Sequence, residues 1–168
     1  MKKVAILIAD LFDENELVYP LYRLKEDFEV HLLGDEKDKA YKGKSDFEKK
    51  STHAAKDANP DDYAGVLIPG GYSPDKMRGS EDLKAFVKKM DEQKKPIAAI
   101  CHAGWMLTSC CEVDGKTLTS TPAIKDDMKH AGVNWVDEAL AVDGHLITAR
   151  KPDDMPGFVK EFVRQLEN

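Results

Sequence analysis

A cysteine stands at the end of a short apolar run and is followed by small residues. The run is Pro96–Ile100, Cys101 and His102 follow it, and positions 106–110 have helical character. An apolar run bounded by proline and small residues is typical of a buried strand in a parallel sheet. At a strand-to-helix turn a nucleophile is exposed by the bend, and the helix N-terminus stabilises its thiolate. Cys101 is therefore a candidate nucleophile, although free cysteines are also common as buried structural residues.

Two other predicted strands end in residues that could assist a thiol. The first strand leads into Asp13 and Glu16, and a later strand ends in Gly70 and Gly71. Sites in open α/β sheets form at the carboxyl ends of the strands. If these strands are neighbours, we expect their loops to meet around Cys101.

The acids Asp13 and Glu16 allow two interpretations. Asp-x-x-Glu before an apolar helix resembles a capping box, in which both side chains satisfy backbone donors. In the functional interpretation a carboxyl lies beside the thiol, and one of the two groups must then hold a proton. A protonated Glu16 could donate a hydrogen bond to the sulfur. Both interpretations hold if Asp13 is the cap and Glu16 the site residue.

The remaining candidates are an oxyanion hole and a base. Glycine lets backbone N–H groups approach a developing oxyanion, so the Gly71 and His102 amides are candidate donors, although a glycine pair also fits a simple turn. His102 is the candidate base if a strained turn brings its ring to the neighbouring sulfur. A base of this kind needs an orienting acid, and Asp75, in the predicted loop 72–75, is the candidate. The alternative for Asp75 is an acid at a helix start.

Apolar strands alternate with amphipathic helices, which predicts one doubly wound α/β domain over residues 1–168 with a mostly parallel sheet. Predicted strands lie at 3–9, 29–33, 65–69, 97–100, 117–120, 135–136, 139–142 and 146–149. Predicted helices begin at Glu14, after the N-cap Ser80, at Ala123 and at Pro156. The polar stretch 35–53 predicts a charged hairpin at the edge of the sheet.

Composition narrows the classes of function. The chain has 168 residues, 42% of them hydrophobic and 33% charged, which is typical of a globular protein. A formal net charge of -6 argues against a nucleic-acid partner. No apolar run is long enough to span a membrane and the N-terminus does not resemble a signal peptide, so we expect no membrane location. Three cysteines without C-x-x-C spacing and five scattered histidines predict a reducing cytoplasm and no structural metal.

Six motifs in this order resemble the PfpI (intracellular protease I) branch of the DJ/PfpI superfamily, which includes the Parkinsonism-associated deglycase and bacterial general stress proteins. The motifs are Phe12–Leu17, Leu67–Gly71, Ala99–His102, Ile124–Met128, Ala131–Val133 and Thr148–Asp154. The resemblance implies a flavodoxin-like, mostly parallel sheet sandwiched between helices, as in class I glutamine amidotransferases.

The resemblance also implies roles for single residues. Cys101 would be the nucleophile, Glu16 its carboxyl partner and His102 the base, with the Gly71 and His102 amides as oxyanion hole and no cofactor or metal. In this branch the acid that orients the histidine comes from a neighbouring subunit. Asp75 stands at that position, where many relatives have Glu, so the resemblance implies a homodimer or higher homo-oligomer.

Two residues depart from the family pattern. The usual Cys-His-Gly-Pro continuation is Cys-His-Ala-Gly-Trp here, so Trp105 would change the pocket wall or the packing below the turn. Where many relatives have a tyrosine in a Thr-Ser-Tyr-Pro run, this chain has Thr121, and any role of that phenol is absent.

The resemblance implies an enzyme that acts on small reactive carbonyls, either as a cofactor-independent glyoxalase converting methylglyoxal to lactate or as a deglycase. Its substrate would be a small aldehyde or a glycated adduct. Two alternatives remain open: a cysteine peptidase or amidase using the same nucleophile, and a non-enzymatic stress sensor with an oxidisable Cys101.

Overall fold

A computed structural model describes residues 1–168, and a seven-stranded sheet forms its centre. The strands are β1 Lys3–Leu7, β2 Glu29–Gly34, β3 Ala40–Lys42, β4 Glu48–Lys50, β5 His53–Ala54, β6 Tyr63–Ile68, β7 Ile97–Ile100, β8 Thr117–Leu118, β9 Asn134–Trp135, β10 Ala141–Asp143 and β11 Leu146–Ala149. The helices are α1 Glu14–Lys25, α2 Ser73–Arg78, α3 Glu81–Glu92, α4 Gly104–Cys110, α5 Lys125–His130 and α6 Met155–Leu166.

The strand order places the loops of interest side by side. The central sheet runs β10-β11-β7-β6-β1-β2-β5, and every pair is parallel except β10 with β11. From β1 the chain moves to β2 and β5, then returns to add β6 and β7 on the opposite side of β1. The order reverses between β1 and β6, and such a switch point is where open α/β sheets bind ligands.

Both faces of the sheet are covered, which explains why the central strands are mostly apolar. In β1, Val4 and Ile6 pack into the layer that contains α1 and α6. Ala5 and Leu7 point the other way, into the layer formed with α3 and α4. Side chains of a strand alternate between the faces, so a strand buried on both sides has few polar positions. The predicted mostly parallel α/β sheet is confirmed.

The polar stretch after β2 forms the expected hairpin, but in a different place. Strands β3 and β4 pair only with each other, and the edge strand of the central sheet is β5 instead. The hairpin is bound to the loop after β1, because Leu11 N–H donates to the Lys42 carbonyl at 2.7 Å and Lys44 N–H donates to the Phe12 carbonyl at 3.0 Å. These backbone bonds place the hairpin next to the switch point rather than at the sheet edge.

Candidate active site

Cys101 occupies a strained turn directly after β7. Its φ is 61°, a left-handed conformation that costs a residue with a side chain about 1–3 kcal/mol. A single 3₁₀ turn over Cys101–Ala103 then leads into α4. The turn brings neighbouring side chains together: His102 Nδ1 lies 3.3 Å from Cys101 Sγ, a contact that a regular helix does not allow.

Two backbone amides also face the sulfur. The N–H groups of Gly71 and His102 hydrogen-bond Cys101 Sγ and lower the pKa of the thiol. Gly71 has a φ of 71°, and a Cβ there would collide with the Leu11 carbonyl and the Asp13 amide. Only glycine therefore fits between the two loops at the position that brings its amide to the sulfur.

Glu16 is fully buried beside the same sulfur. Its Oε1 accepts a hydrogen bond from Gly70 N–H at 2.8 Å, and its Oε2 has no partner. Burial, reinforced by the charge of Asp13, raises the pKa of Glu16 to about 8, so this carboxyl is neutral at pH 7. Asp13 Oδ1 accepts from Glu16 N–H at 3.2 Å and caps α1. Asp13 is thus the cap of α1, whereas the Glu16 side chain does not complete a capping box because it accepts from Gly70 N–H instead.

The pKa of the Cys101 thiol is higher than the sequence predicts for a cysteine at a helix N-terminus. Burial and then the Glu16 carboxylate raise the pKa of Cys101 to about 11, and this outweighs the two amides. The contribution of Glu16 disappears when that group holds its proton. Since the pKa of Glu16 is about 8, Cys101 faces a neutral acid rather than a negative charge at neutral pH.

Lys44 is a charged neighbour that no sequence motif predicts. Its Nζ lies 3.0 Å from Asp13 Oδ2, and its charge acts on three groups of the site: it lowers the pKa of Glu16 and of His102, and it interacts with Cys101. Lys44 belongs to the turn between β3 and β4. No local spacing links it to the cysteine, and only the docking of the hairpin brings it here.

Asp75 does not orient His102 within one chain. It lies in the first turn of α2 rather than in a loop, because Pro74 at the helix start has the φ that a first turn requires. No hydrogen bond or ion pair joins its carboxylate to His102, whose ring has Cys101 as its only hydrogen-bond partner.

The two departures from the family pattern both lie beside the cysteine. The Trp105 ring is 5.1 Å from the His102 ring, centroid to centroid, so it lies beside the imidazole. Thr121 N–H donates to the Cys101 carbonyl at 3.2 Å, so this position adjoins the turn without a phenol.

The other thiols do not join this cluster. Burial raises the pKa of Cys110 to about 11 and also raises the pKa of Cys111. No three His, Cys, Asp or Glu side chains are grouped so that they could hold a metal ion. Among the helices, none has the length and apolar character needed to cross a membrane.

Fold and site together define an α/β protein that carries a cysteine, a histidine and a buried glutamate at the switch point of a parallel sheet. A model of the DJ-1/PfpI family matches residues 2–165. The chain belongs to the DJ-1/PfpI family.

Relatives and solved structures agree with this assignment. A protein of Pyrococcus abyssi named a deglycase is 39% identical over 98% of this chain and 99% of its own length. The protein of Pyrococcus furiosus named deglycase PfpI is 36% identical over 98% of this chain and 99% of its own length. A two-domain protein of Anabaena variabilis with DJ-1/ThiJ/PfpI-like and ferritin-like domains superposes with a TM-score of 0.96 at 38% identity over 99% of this chain, which spans 48% of that protein. Drosophila melanogaster DJ-1beta, at 24% identity and a TM-score of 0.90 over 99% of this chain and 91% of its own, shares the flavodoxin-like fold.

Proposed function

We propose that this protein is a cysteine-dependent enzyme acting on small reactive carbonyls, as a glyoxalase that converts methylglyoxal to lactate or as a deglycase of early glycation adducts. One arrangement supports the proposal above all: Cys101 Sγ lies 3.3 Å from an imidazole nitrogen and accepts hydrogen bonds from two backbone N–H groups. A carboxyl that is neutral at pH 7 lies beside it. Relatives named deglycases add support.

The first step uses the sulfur, the imidazole and the amides. His102 Nδ1 accepts the thiol proton, and the thiolate adds to the aldehyde carbon of methylglyoxal, which forms a C–S bond. The aldehyde oxygen becomes an oxyanion, is stabilised by the Gly71 and His102 amides, and takes up a proton to give a hemithioacetal. Burial lowers the pKa of His102, so its ring is neutral and able to accept a proton at pH 7.

The second step moves a proton between adjacent carbons. His102 removes the proton from the carbon bonded to sulfur, and the electrons form an enediolate. The neutral Glu16 and the imidazolium are the proton donors that can deliver a proton to the neighbouring carbon. As the neighbouring carbon is protonated, the hydroxyl proton on the carbon bonded to sulfur passes to the neighbouring oxygen, which leaves a C=O group bonded to sulfur. Water cleaves this thioester of lactate and releases lactate and the Cys101 thiol. Methylglyoxal plus water gives lactate, so no external oxidant or reductant is needed.

The alternatives differ in what they demand of the site. A peptidase or amidase would use the same nucleophile and the same amides. A non-enzymatic redox sensor would need only an oxidisable Cys101 and would leave the imidazole and the two amides around its sulfur without a role.

Lactate formation from methylglyoxal without glutathione tests the proposal. We expect wild type and Cys110→Ala, which removes a buried thiol outside the site, to form lactate, and Cys101→Ala to lose at least about 10³-fold in rate. Folded, reduced wild type that forms no lactate and releases no free amine from glycated peptides would refute the carbonyl activity. Cleavage of peptide amides by the same preparation would then favour the peptidase.

A further inference from the structure

Trp105 contacts the candidate base, and the mechanism above gives it no role. Positions 102 and 105 are three residues apart across the turn that leads into α4, so both side chains lie on one face of it. The ring centroids of His102 and Trp105 are 5.1 Å apart, with an interplanar angle of 58°. The Tyr72 ring also stacks on the imidazole, at 5.7 Å and 27°. Two aromatic rings therefore contact the imidazole.

The indole is itself held in place by two other helices. Trp105 Nε1–H donates to Asp127 Oδ2 in α5 at 2.8 Å. The Arg78 guanidinium of α2 lies over the indole, 5.6 Å from the ring centroid. A ring tethered by a charge-assisted hydrogen bond and a cation–π contact is a rigid surface for its neighbour.

His102 needs such a surface because nothing else in the chain orients it. A histidine base works well when a third group fixes the direction of its ring. Here Nδ1 points to Cys101 Sγ, and no acid of the same chain binds the other nitrogen. Aromatic contacts restrict ring rotation and also stabilise the imidazolium that forms when the base takes up a proton.

We propose that Trp105 is a positioning residue: anchored by Asp127 and Arg78, its indole together with Tyr72 holds the His102 ring in the orientation that keeps Nδ1 on the Cys101 sulfur. The proposal rests on the role assigned to His102 under the proposed function. Its test therefore uses readouts that do not require carbonyl turnover.

The contact can be measured by fluorescence. In Trp135→Phe, Trp105 is the only tryptophan, and a protonated imidazole in contact with an indole quenches its emission. We expect emission to fall as the pH is lowered through the pKa of His102. A second histidine, His130, lines the same groove as Trp105 and is therefore the control for this signal. The transition should therefore vanish in His102→Gln and persist in His130→Gln; the opposite result would overturn the proposal.

The positioning effect can be measured by alkylation. Iodoacetamide reacts with the thiolate, and mass spectrometry identifies the modified cysteine. If the imidazole leaves the sulfur, the thiol loses the base that accepts its proton, so less thiolate forms; a tenfold smaller thiolate population slows alkylation of Cys101 at pH 7 about tenfold. We expect this loss in Trp105→Leu and rescue to within about twofold in Trp105→Phe, which keeps an aromatic ring.

A second variant guards against a folding defect in Trp105→Leu. Tyr72 is 59% exposed, so Tyr72→Ala removes the other ring contact without opening the core. We expect slower alkylation there too. Wild-type alkylation profiles in both Tyr72→Ala and folded Trp105→Leu would overturn the proposal, even if lactate is formed. Conversely, absence of lactate with the expected alkylation changes would refute the proposed function and leave the positioning role of Trp105 standing.

Discussion

Gly70 donates its backbone N–H to one oxygen of Glu16 at 2.8 Å and leaves the other oxygen of that carboxyl buried without a partner. One hydrogen bond from a backbone amide does not compensate for the loss of water around a negative charge. Glu16, in the first turn of α1, therefore holds its proton at neutral pH and is able to donate a hydrogen bond or a proton.

Replacing Glu16 by glutamine should change how stability depends on pH. The native pKa of about 8 exceeds the ordinary value of 4.5, so the native state binds more protons than the unfolded chain between these values. The stabilising effect of this proton is complete below pH 4.5 and is lost as the pH rises toward 8. The free energy of unfolding of wild type should thus fall, relative to Glu16→Gln, by about 1.4 kcal/mol per pH unit in that window.

Urea unfolding from pH 5 to pH 8 measures this difference directly. Glu167→Gln, at an exposed position near the C-terminus, is the matched control and should follow wild type. Parallel stability curves for wild type and Glu16→Gln would mean that Glu16 is ionised in the native protein and cannot donate a proton.

Gly71→Ala should remove the amide from the sulfur and destabilise the fold. A left-handed φ alone costs alanine about 1–2 kcal/mol, and at this position the added Cβ also meets the backbone of Leu11 and Asp13. Gly144→Ala is the matched control, because Gly144 has a φ of 60° but an added Cβ meets nothing within 4 Å. We expect thermal melting to show a small loss for Gly144→Ala and a larger one for Gly71→Ala, with carbonyl turnover lost only in the latter. Equal losses in both variants would contradict the close approach of the two loops.

Lys44→Gln should raise the pKa of His102. A positive charge nearby disfavours the imidazolium, so its removal makes protonation easier. In the pH profile of kcat/KM the acidic limb should then move to higher pH, and proton NMR of the imidazole should show the same shift. Lys42→Gln is the control, since Lys42 pairs with Glu48 at 3.9 Å on the same hairpin. An unmoved profile in Lys44→Gln would show that the hairpin does not contribute its charge to the site.

How far the fold and the site could be predicted from the sequence depends on whether the residues in contact are close together in the chain. Local patterns predicted the cysteine turn, the Asp13 cap and the alternation of strands and helices, because each depends on residues close in the chain. Lys44 lies far from Cys101 in sequence, and its place depends on backbone bonds between two loops. The high pKa of the thiol was missed for a similar reason: it depends on how deeply the turn is buried, which no short motif encodes.

A last prediction concerns Asp75, which makes no hydrogen bond to the His102 ring within its own chain. If Asp75 of a second copy orients His102, as the family resemblance implies, Asp75→Ala and Cys101→Ala should each be inactive or weak alone. When the two variants are mixed in equal amounts and allowed to exchange chains, half of the dimers contain one chain of each kind. In such a dimer the intact Cys101 faces the intact Asp75 of the other chain, so activity should recover to about one quarter of wild type. A mixture that stays as inactive as its components, despite heterodimers detected by native mass spectrometry, would place any action of Asp75 within its own chain.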